Sequence, residues 1–240
     1  MKMICLGSGS SGNCYLLKAS KETLVLEAGL TLSEIKKGLD YSISGVVGVL
    51  ISHIHKDHSL SASDLAKIGI PVFALENVFF GLPDSHFYHT IEPMHGFKVG
   101  GFKIFPFPVS HDVPCVGFVI THDEMGKLLF ATDTMMIEYK FQGLNHIMIE
   151  ANYDDRILDY NIEQGYVSPA MKKRLLGSHM ELQTTKGILE ANDLGKVSEI
   201  ILIHLSSNNS NGPEFKAEAE RATGIPTYIA HKGLEIELAN

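Results

Sequence analysis

His53-Ile54-His55-Lys56-Asp57-His58 follows the apolar run Val46-Val47-Gly48-Val49-Leu50-Ile51. That run has the length, β-branched content and flanking turn residues of a buried strand. Three imidazoles and a carboxylate therefore stand together on one short loop at a strand end. Imidazole and carboxylate without thiolate form a borderline donor set, suited to zinc, iron, manganese or cobalt. Alternate side chains of an extended segment share a face, so His53 and His55 can reach one ion. Asp57 and His58 come from the following turn and are better placed for a second. A solvated polar loop is the competing reading, and the density of ligand types behind a core strand favours the chelate.

The surrounding chain has 240 residues, 45% of them apolar. It can bury one large core, and nothing in it resembles a linker, so residues 1–240 are read as one domain. Met1-Lys2-Met3-Ile4-Cys5-Leu6 is already strand-like and lacks the apolar core of a signal peptide. No apolar run is long enough to span a bilayer, and no membrane partner is expected. Cys5, Cys14 and Cys115 are odd in number and contain no metal-binding pair, which fits free thiols in a reducing, cytoplasmic setting. The net charge of −8 argues against adhesion to nucleic acid by the surface as a whole. It leaves room for a polyanionic substrate, because bound divalent ions can invert the local field. Lys172, Lys173 and Arg174 form a short basic cluster on an expected helix, with Arg174 the candidate substrate contact.

Gly7-Ser8-Gly9-Ser10-Ser11-Gly12 fits a dinucleotide-binding pattern, but strands at Cys14–Leu17 and Thr23–Leu26 follow it where a helix is required. The loop instead offers backbone amides and the side chains of Ser10, Ser11 and Asn13 to an anion. Glu27, ending the third strand, is placed to hold a ligand histidine by its second nitrogen. Ser61–Ile68 has helical spacing and Pro71–Leu75 reads as a strand. Residues 83 to 96 read as irregular, with His86, His89 and His95 as loop histidines.

Phe97–Val99, Phe102–Val109, Cys115–Thr121 and Lys127–Ala131 read as a meander. His111 and Asp133 follow two of its strands. His146–Ala151 is a further buried strand, and residues 153 to 177 are helical with breaks near Gly165 and Pro169. Ser178-His179-Met180-Glu181 has the spacing of a capping box opening a helix to about Asn192, which puts His179 in its first turn. The strand Val197–Leu205 carries His204 at its end. No internal repeat is evident by self-similarity.

The ordered set His53, His55, Asp57, His58, His111, Asp133 and His204 resembles the metallo-β-lactamase superfamily. The closer likeness is to the small bacterial exonucleases of that fold encoded beside a cell-wall sensor kinase. It is carried by Gly7–Cys14, Pro108–Asp112, Ala131–Thr134, Glu150-Ala151-Asn152-Tyr153-Asp154 and His204-Leu205-Ser206. The resemblance implies an α/β (α+β) fold, a four-layer αβ/βα sandwich with two facing mixed sheets. It also implies two divalent ions, zinc first, with manganese or iron as alternatives. His53, His55 and His111 would bind one ion, Asp57, His58 and His204 the other, and Asp133 both. A metal-bridging hydroxide would be the nucleophile of a phosphodiesterase acting on DNA or a small phosphodiester.

Within that likeness Asp57 and His179 are the catalytic candidates, and Asn152 joins Ser10, Ser11, Asn13 and Arg174 as a candidate substrate contact. His179 is similar to the histidine that ribonuclease Z relatives use near the leaving group. Glu27 stands where aspartate is usual and Thr134 where glycine is common. Two rivals remain: a dimetal hydrolase of a thioester, lactone or small cyclic phosphodiester, and a non-catalytic nucleic-acid-binding module with structural metals.

Overall fold

The structure, a computed structural model, describes residues 1–168 and 170–240 in full and Pro169 through its backbone. Six strands come first: β1 (Lys2–Gly7), β2 (Cys14–Lys18), β3 (Thr23–Leu26), β4 (Val46–Leu50), β5 (Val72–Ala74) and β6 (Tyr88–Thr90). They are followed by β7 (Phe97–Val99), β8 (Phe102–Val109), β9 (Cys115–His122), β10 (Gly126–Ala131), β11 (His146–Glu150), β12 (Glu199–Ile203) and β13 (Thr227–Ile229). The last strand, β14 (Glu235–Glu237), returns to the first sheet. Each sheet is 7-stranded, in the orders β14-β1-β2-β3-β4-β5-β6 and β13-β12-β11-β10-β9-β8-β7.

Both sheets are mixed, and in both the run of antiparallel pairs gives way to parallel ones. The two halves thus repeat a pairing pattern that self-similarity of sequence does not reveal. Side chains alternate across each strand, so each sheet has two buried faces. Leu26 and Leu50 of one sheet meet Phe118, Phe130 and Ile201 of the other in a shared core. On the outer face of the first sheet, Val25 and Val49 pack under α1 (Leu32–Gly38) and, beyond the short α2 (Lys56–Ser59), under α3 (Ala62–Lys67).

The chain then crosses α4 (Asp155–Glu163), α5 (Pro169–Ser178), α6 (Leu182–Ala191) and α7 (Gly212–Thr223). Ile147, Ile200 and Leu202 of the second sheet pack against Leu182, Leu189 and Phe215 of α6 and α7. Helix, sheet, sheet and helix make four layers, as the resemblance implies. No described helix is long and apolar enough to cross a membrane.

Two expectations are corrected. Residues 83 to 96 are not all irregular: Tyr88–Thr90 forms an edge strand parallel to β5, and His89 stacks on Phe73 with ring centroids 4.7 Å apart. The strand is too short and too exposed to carry an alternating apolar signature. Ser178 does not open a helix. Its hydroxyl donates back to the Arg174 carbonyl at 2.6 Å, α5 runs through it, and Glu181 caps α6 by accepting from Gln183 and Thr184. Residues 179–181 are extended because Tyr153 and Glu181 form a parallel bridge and Met180 is fully buried. Tertiary burial there overrides a locally plausible cap.

Candidate metal centre

Strand ends on one edge of the two sheets deliver the candidate ligands. His53 and His55 follow β4, and Asp57 and His58 lie on α2; His111, Asp133 and His204 follow β8, β10 and β12. Glu27, Asp133 and His204 hold φ of 64°, 46° and 54°, a left-handed conformation that non-glycine residues rarely adopt. Such turns aim the side chain across the strand end, and strain of this kind collects at functional sites.

Three groups of donor atoms result, within each of which all atoms lie within 4.8 Å of one another. His53, His55, His111 and Asp133 form the first; Asp57, His58, Asp133 and His204 form the second; Asp133, Glu150, His179 and His204 form the third. Asp133 belongs to all three. One of its oxygens is 3.2 Å from His58 Nε2 and 3.5 Å from His204 Nε2, and the other is 3.9 Å from His53 Nε2.

The histidines are held by their far nitrogens. His111 Nδ1 donates to the Ser178 carbonyl at 2.8 Å, and His204 Nδ1 to Glu150 at 3.1 Å. His53 Nδ1 is 2.9 Å from the Ser52 hydroxyl, and His58 Nδ1 is 3.5 Å from the Glu27 carboxylate. Glu27 is fully buried, and both its oxygens also accept from Ser52 N. This is the anchoring arrangement that fixes a ligand ring's tautomer and direction. Nε2 of His53 and of His204 is buried with no hydrogen-bond partner. Buried polar atoms are seldom left so, and two imidazole nitrogens without partners facing one carboxylate fit a divalent cation.

Electrostatics separate the first two groups. Burial alone would lower His58 and His204, but Asp133, with Glu27 beside one and Glu150 beside the other, outweighs it. His58 is held well above the ordinary histidine value and His204 is pushed up to about 10. His53 goes well below it, through burial and the neighbouring imidazole of His58, and burial also lowers His111. Burial opposes ionisation of Asp133, yet His204 and His58 hold its carboxyl well below the usual carboxylate range. An ion in the second group must therefore displace protons that an ion in the first does not. The affinity of the second ion is expected to keep rising with pH up to about pH 10, the value to which His204 is pushed, and to rise more steeply than that of the first. Calorimetric metal titration in buffers of different ionisation enthalpy measures the protons released at each step.

Around the donors lies a cavity of about 300 Å³, whose walls include Ser10, Asp112, Arg174 and His179. His179 caps the C-terminal end of α5 rather than opening a helix. Its Nδ1 donates to Glu150 at 2.8 Å and its ring stacks on His204 at 5.2 Å. Burial lowers its pKa, and the Glu150 charge and hydrogen bond more than reverse this, leaving it raised. Ser11 faces a separate recess on the other side of the glycine loop.

Asn13 is fully buried, its Oδ1 accepting from Gly9 N at 2.8 Å and its Nδ2 donating to the Asp57 carbonyl at 3.2 Å. Asn152 is likewise buried, donating to the His204 carbonyl at 2.7 Å. Both fasten segments that carry candidate ligands. Glu150, without a role evident from sequence, holds His179 and His204 and accepts from Thr134 N at 2.9 Å. Its signal was an acid closing a core strand, the same placement that drew attention to Glu27. Asp112 is a second residue without a role evident from sequence, its carboxylate 3.1 Å from His111 Nε2 and 3.4 Å from His55 Nε2.

Comparison with known proteins agrees with this fold. The β-lactamase superfamily domain matches residues 25–205. An exodeoxyribonuclease YycJ of Bacillus anthracis is 27% identical over 223 residues, spanning 85% of this chain and 82% of its own. Exodeoxyribonuclease WalJ of Streptococcus pneumoniae is 29% identical over 228 residues, spanning 87% and 83%. The crystal structure of the metallo-β-lactamase-fold protein YhfI of Bacillus subtilis superposes with a TM-score of 0.76 at 17% identity, covering 98% of both chains. With a matched domain over most of its length and candidate ligand residues on one edge of a four-layer sandwich, the chain belongs to the β-lactamase superfamily, as a metallo-β-lactamase-fold hydrolase.

Proposed function

We propose that this hydrolase is a dinuclear phosphodiesterase of the exonuclease kind, acting on the end of a DNA strand. The observation that carries it is Asp133 shared between two donor groups, with the His179–Glu150 pair directly beside them. The names of the two bacterial relatives supply the substrate class. His53, His55 and His111 would hold one ion, Asp57, His58 and His204 the other, with Asp133 between them. The donor set suits zinc first and also admits manganese or iron. Two such ions supply a water activated at neutral pH and charge neutralisation on a phosphodiester oxygen.

The remaining steps fall to the chain itself. His179 commits Nδ1 to Glu150, which leaves Nε2 to carry a proton to the departing oxygen. Glu150 favours the cationic form of that ring. Asp57, 3.6 Å from Nε2 of both His58 and His204, fixes the second group from the open side of the cavity. Arg174, exposed on α5 at the cavity wall, is the cation available to a phosphate oxygen. Ser10 lies on the same cavity and can donate a hydrogen bond.

A metal-supplemented assay comparing end-labelled duplex DNA, single-stranded DNA, RNA and bis-p-nitrophenyl phosphate tests the reading. Progressive loss of nucleotides from a DNA end is expected. Cleavage of a thioester or lactone with none of these four substrates would replace the phosphodiesterase by a carbonyl-ester hydrolase.

A further inference from the structure

On the outer face of the second sheet, far from the donor atoms, is a second groove of about 580 Å³. Its rim carries Lys98, Lys103, Lys127 and Lys140, and no acidic residue lines it. The chain as a whole bears a net charge of −8, so this is a local reversal of sign.

The register shows how the lysines come together. Lys98 lies directly opposite Lys103, Lys103 opposite Thr121, and Thr121 opposite Lys127, one row across β7, β8, β9 and β10. Like charges directly opposite each other on a sheet destabilise it. Among the described residues none of these lysines pairs with a carboxylate, although many other lysines do. Lys127 is held at the rim by donating to the Gln142 carbonyl at 2.8 Å. Beside the row the floor is apolar: Phe105 is 37% exposed, Phe141 reaches over from the β10–β11 connection, and Gly96 opposite Phe105's neighbourhood adds no side chain.

We infer that this lysine row with its phenylalanine floor is a secondary binding site for a single-stranded polyanion, the strand whose end lies in the metal cavity. The identification of the polyanion as nucleic acid rests on the function proposed above. Cations following a backbone beside aromatic rings on which bases stack are the two elements of sequence-tolerant single-strand binding. With strands about 4.8 Å apart, the row spans about 14 Å, roughly four stacked nucleotides. Lys127 and Asp133 are six residue steps apart along β10 and its exit, a rise of about 20 Å. A strand anchored at the metal cavity must run on for roughly six nucleotides to reach the row. The site therefore acts on long substrates and is out of reach of short ones.

The test is a quadruple variant, Lys98→Gln, Lys103→Gln, Lys127→Gln and Lys140→Gln, read first by fluorescence anisotropy with labelled oligothymidylate of about 20 nucleotides. Circular dichroism checks that it is folded. With about 0.7 counterions released per phosphate contact on a single strand, the slope of log affinity against log salt is expected to fall by about 3. Affinity at low salt should fall at least about tenfold, with hydrolysis of bis-p-nitrophenyl phosphate and of a trinucleotide unchanged. An unchanged slope and affinity, or an equal loss on short and long substrates, would overturn the inference. So would a wild-type protein that binds polyglutamate through these lysines and no oligonucleotide, which would make the groove a docking site for an acidic protein. Because anisotropy needs no turnover, lysine-dependent strand binding by a protein that cuts no nucleic acid would uphold the groove and sink the exonuclease reading.

Discussion

Asp133→Ala is expected to reduce hydrolysis by about a thousandfold or more and to strip both ions from the protein. Among the described residues its carboxylate is the only donor common to all three groups of the site. Charge neutralisation by bound metal contributes several kcal/mol to such reactions, and each 1.36 kcal/mol is about a factor of ten in rate. The metal-free variant should also be less stable. Asp133 is almost completely buried and lies against His58 and His204, both held protonated in the metal-free chain. Removing one partner of a buried charged pair typically costs about 3–5 kcal/mol. Urea unfolding of the two chelated proteins measures that loss. A variant that keeps wild-type turnover, or unfolds at the same urea concentration, would show that Asp133 does not organise the site.

His179→Ala is expected to separate catalysis from metal binding. A positioned proton donor contributes about 10² to 10⁴ in rate, and the loss should be near the upper end for a DNA phosphodiester, whose alkoxide leaves poorly. It should be small for bis-p-nitrophenyl phosphate, whose leaving group needs no proton. Metal content should stay at the wild-type value, because His179 makes its 2.8 Å bond to Glu150 and belongs to neither of the first two donor groups. Glu150→Gln should give a smaller loss of the same kind. It should also shift the alkaline limb of the rate profile downward, since the carboxylate is what raises His179. Equal losses on both substrates would remove His179 from the proton-donor role.

Much of this site is local in sequence and so was legible there. An apolar run ending in a ligand is a strand end, and His53, His111, Asp133 and His204 each carry that mark. The dense loop at 53–58 needed no partner to be read. The four-layer fold followed from resemblance, with the strand and helix succession compatible. What escaped was set by contacts between distant segments. Asn13 and Asn152 look like exposed polar loop residues, yet each is buried holding a carbonyl of a ligand-bearing segment. The α5–α6 boundary was misplaced because Ser178 and Glu181 satisfy a local capping pattern while Tyr153, remote in sequence, draws residues 179–181 into a bridge. The lysine row was invisible for the same reason, since Lys98, Lys103 and Lys127 become neighbours only through strand register.

Plasma emission spectrometry of protein saturated with zinc or manganese and freed of excess metal counts the ions that the strand-end residues hold. Two ions per chain are expected in the wild type and one in Asp57→Ala. A wild-type chain that retains no transition metal after saturation, or an Asp57→Ala chain still carrying two, would contradict the two-ion assignment.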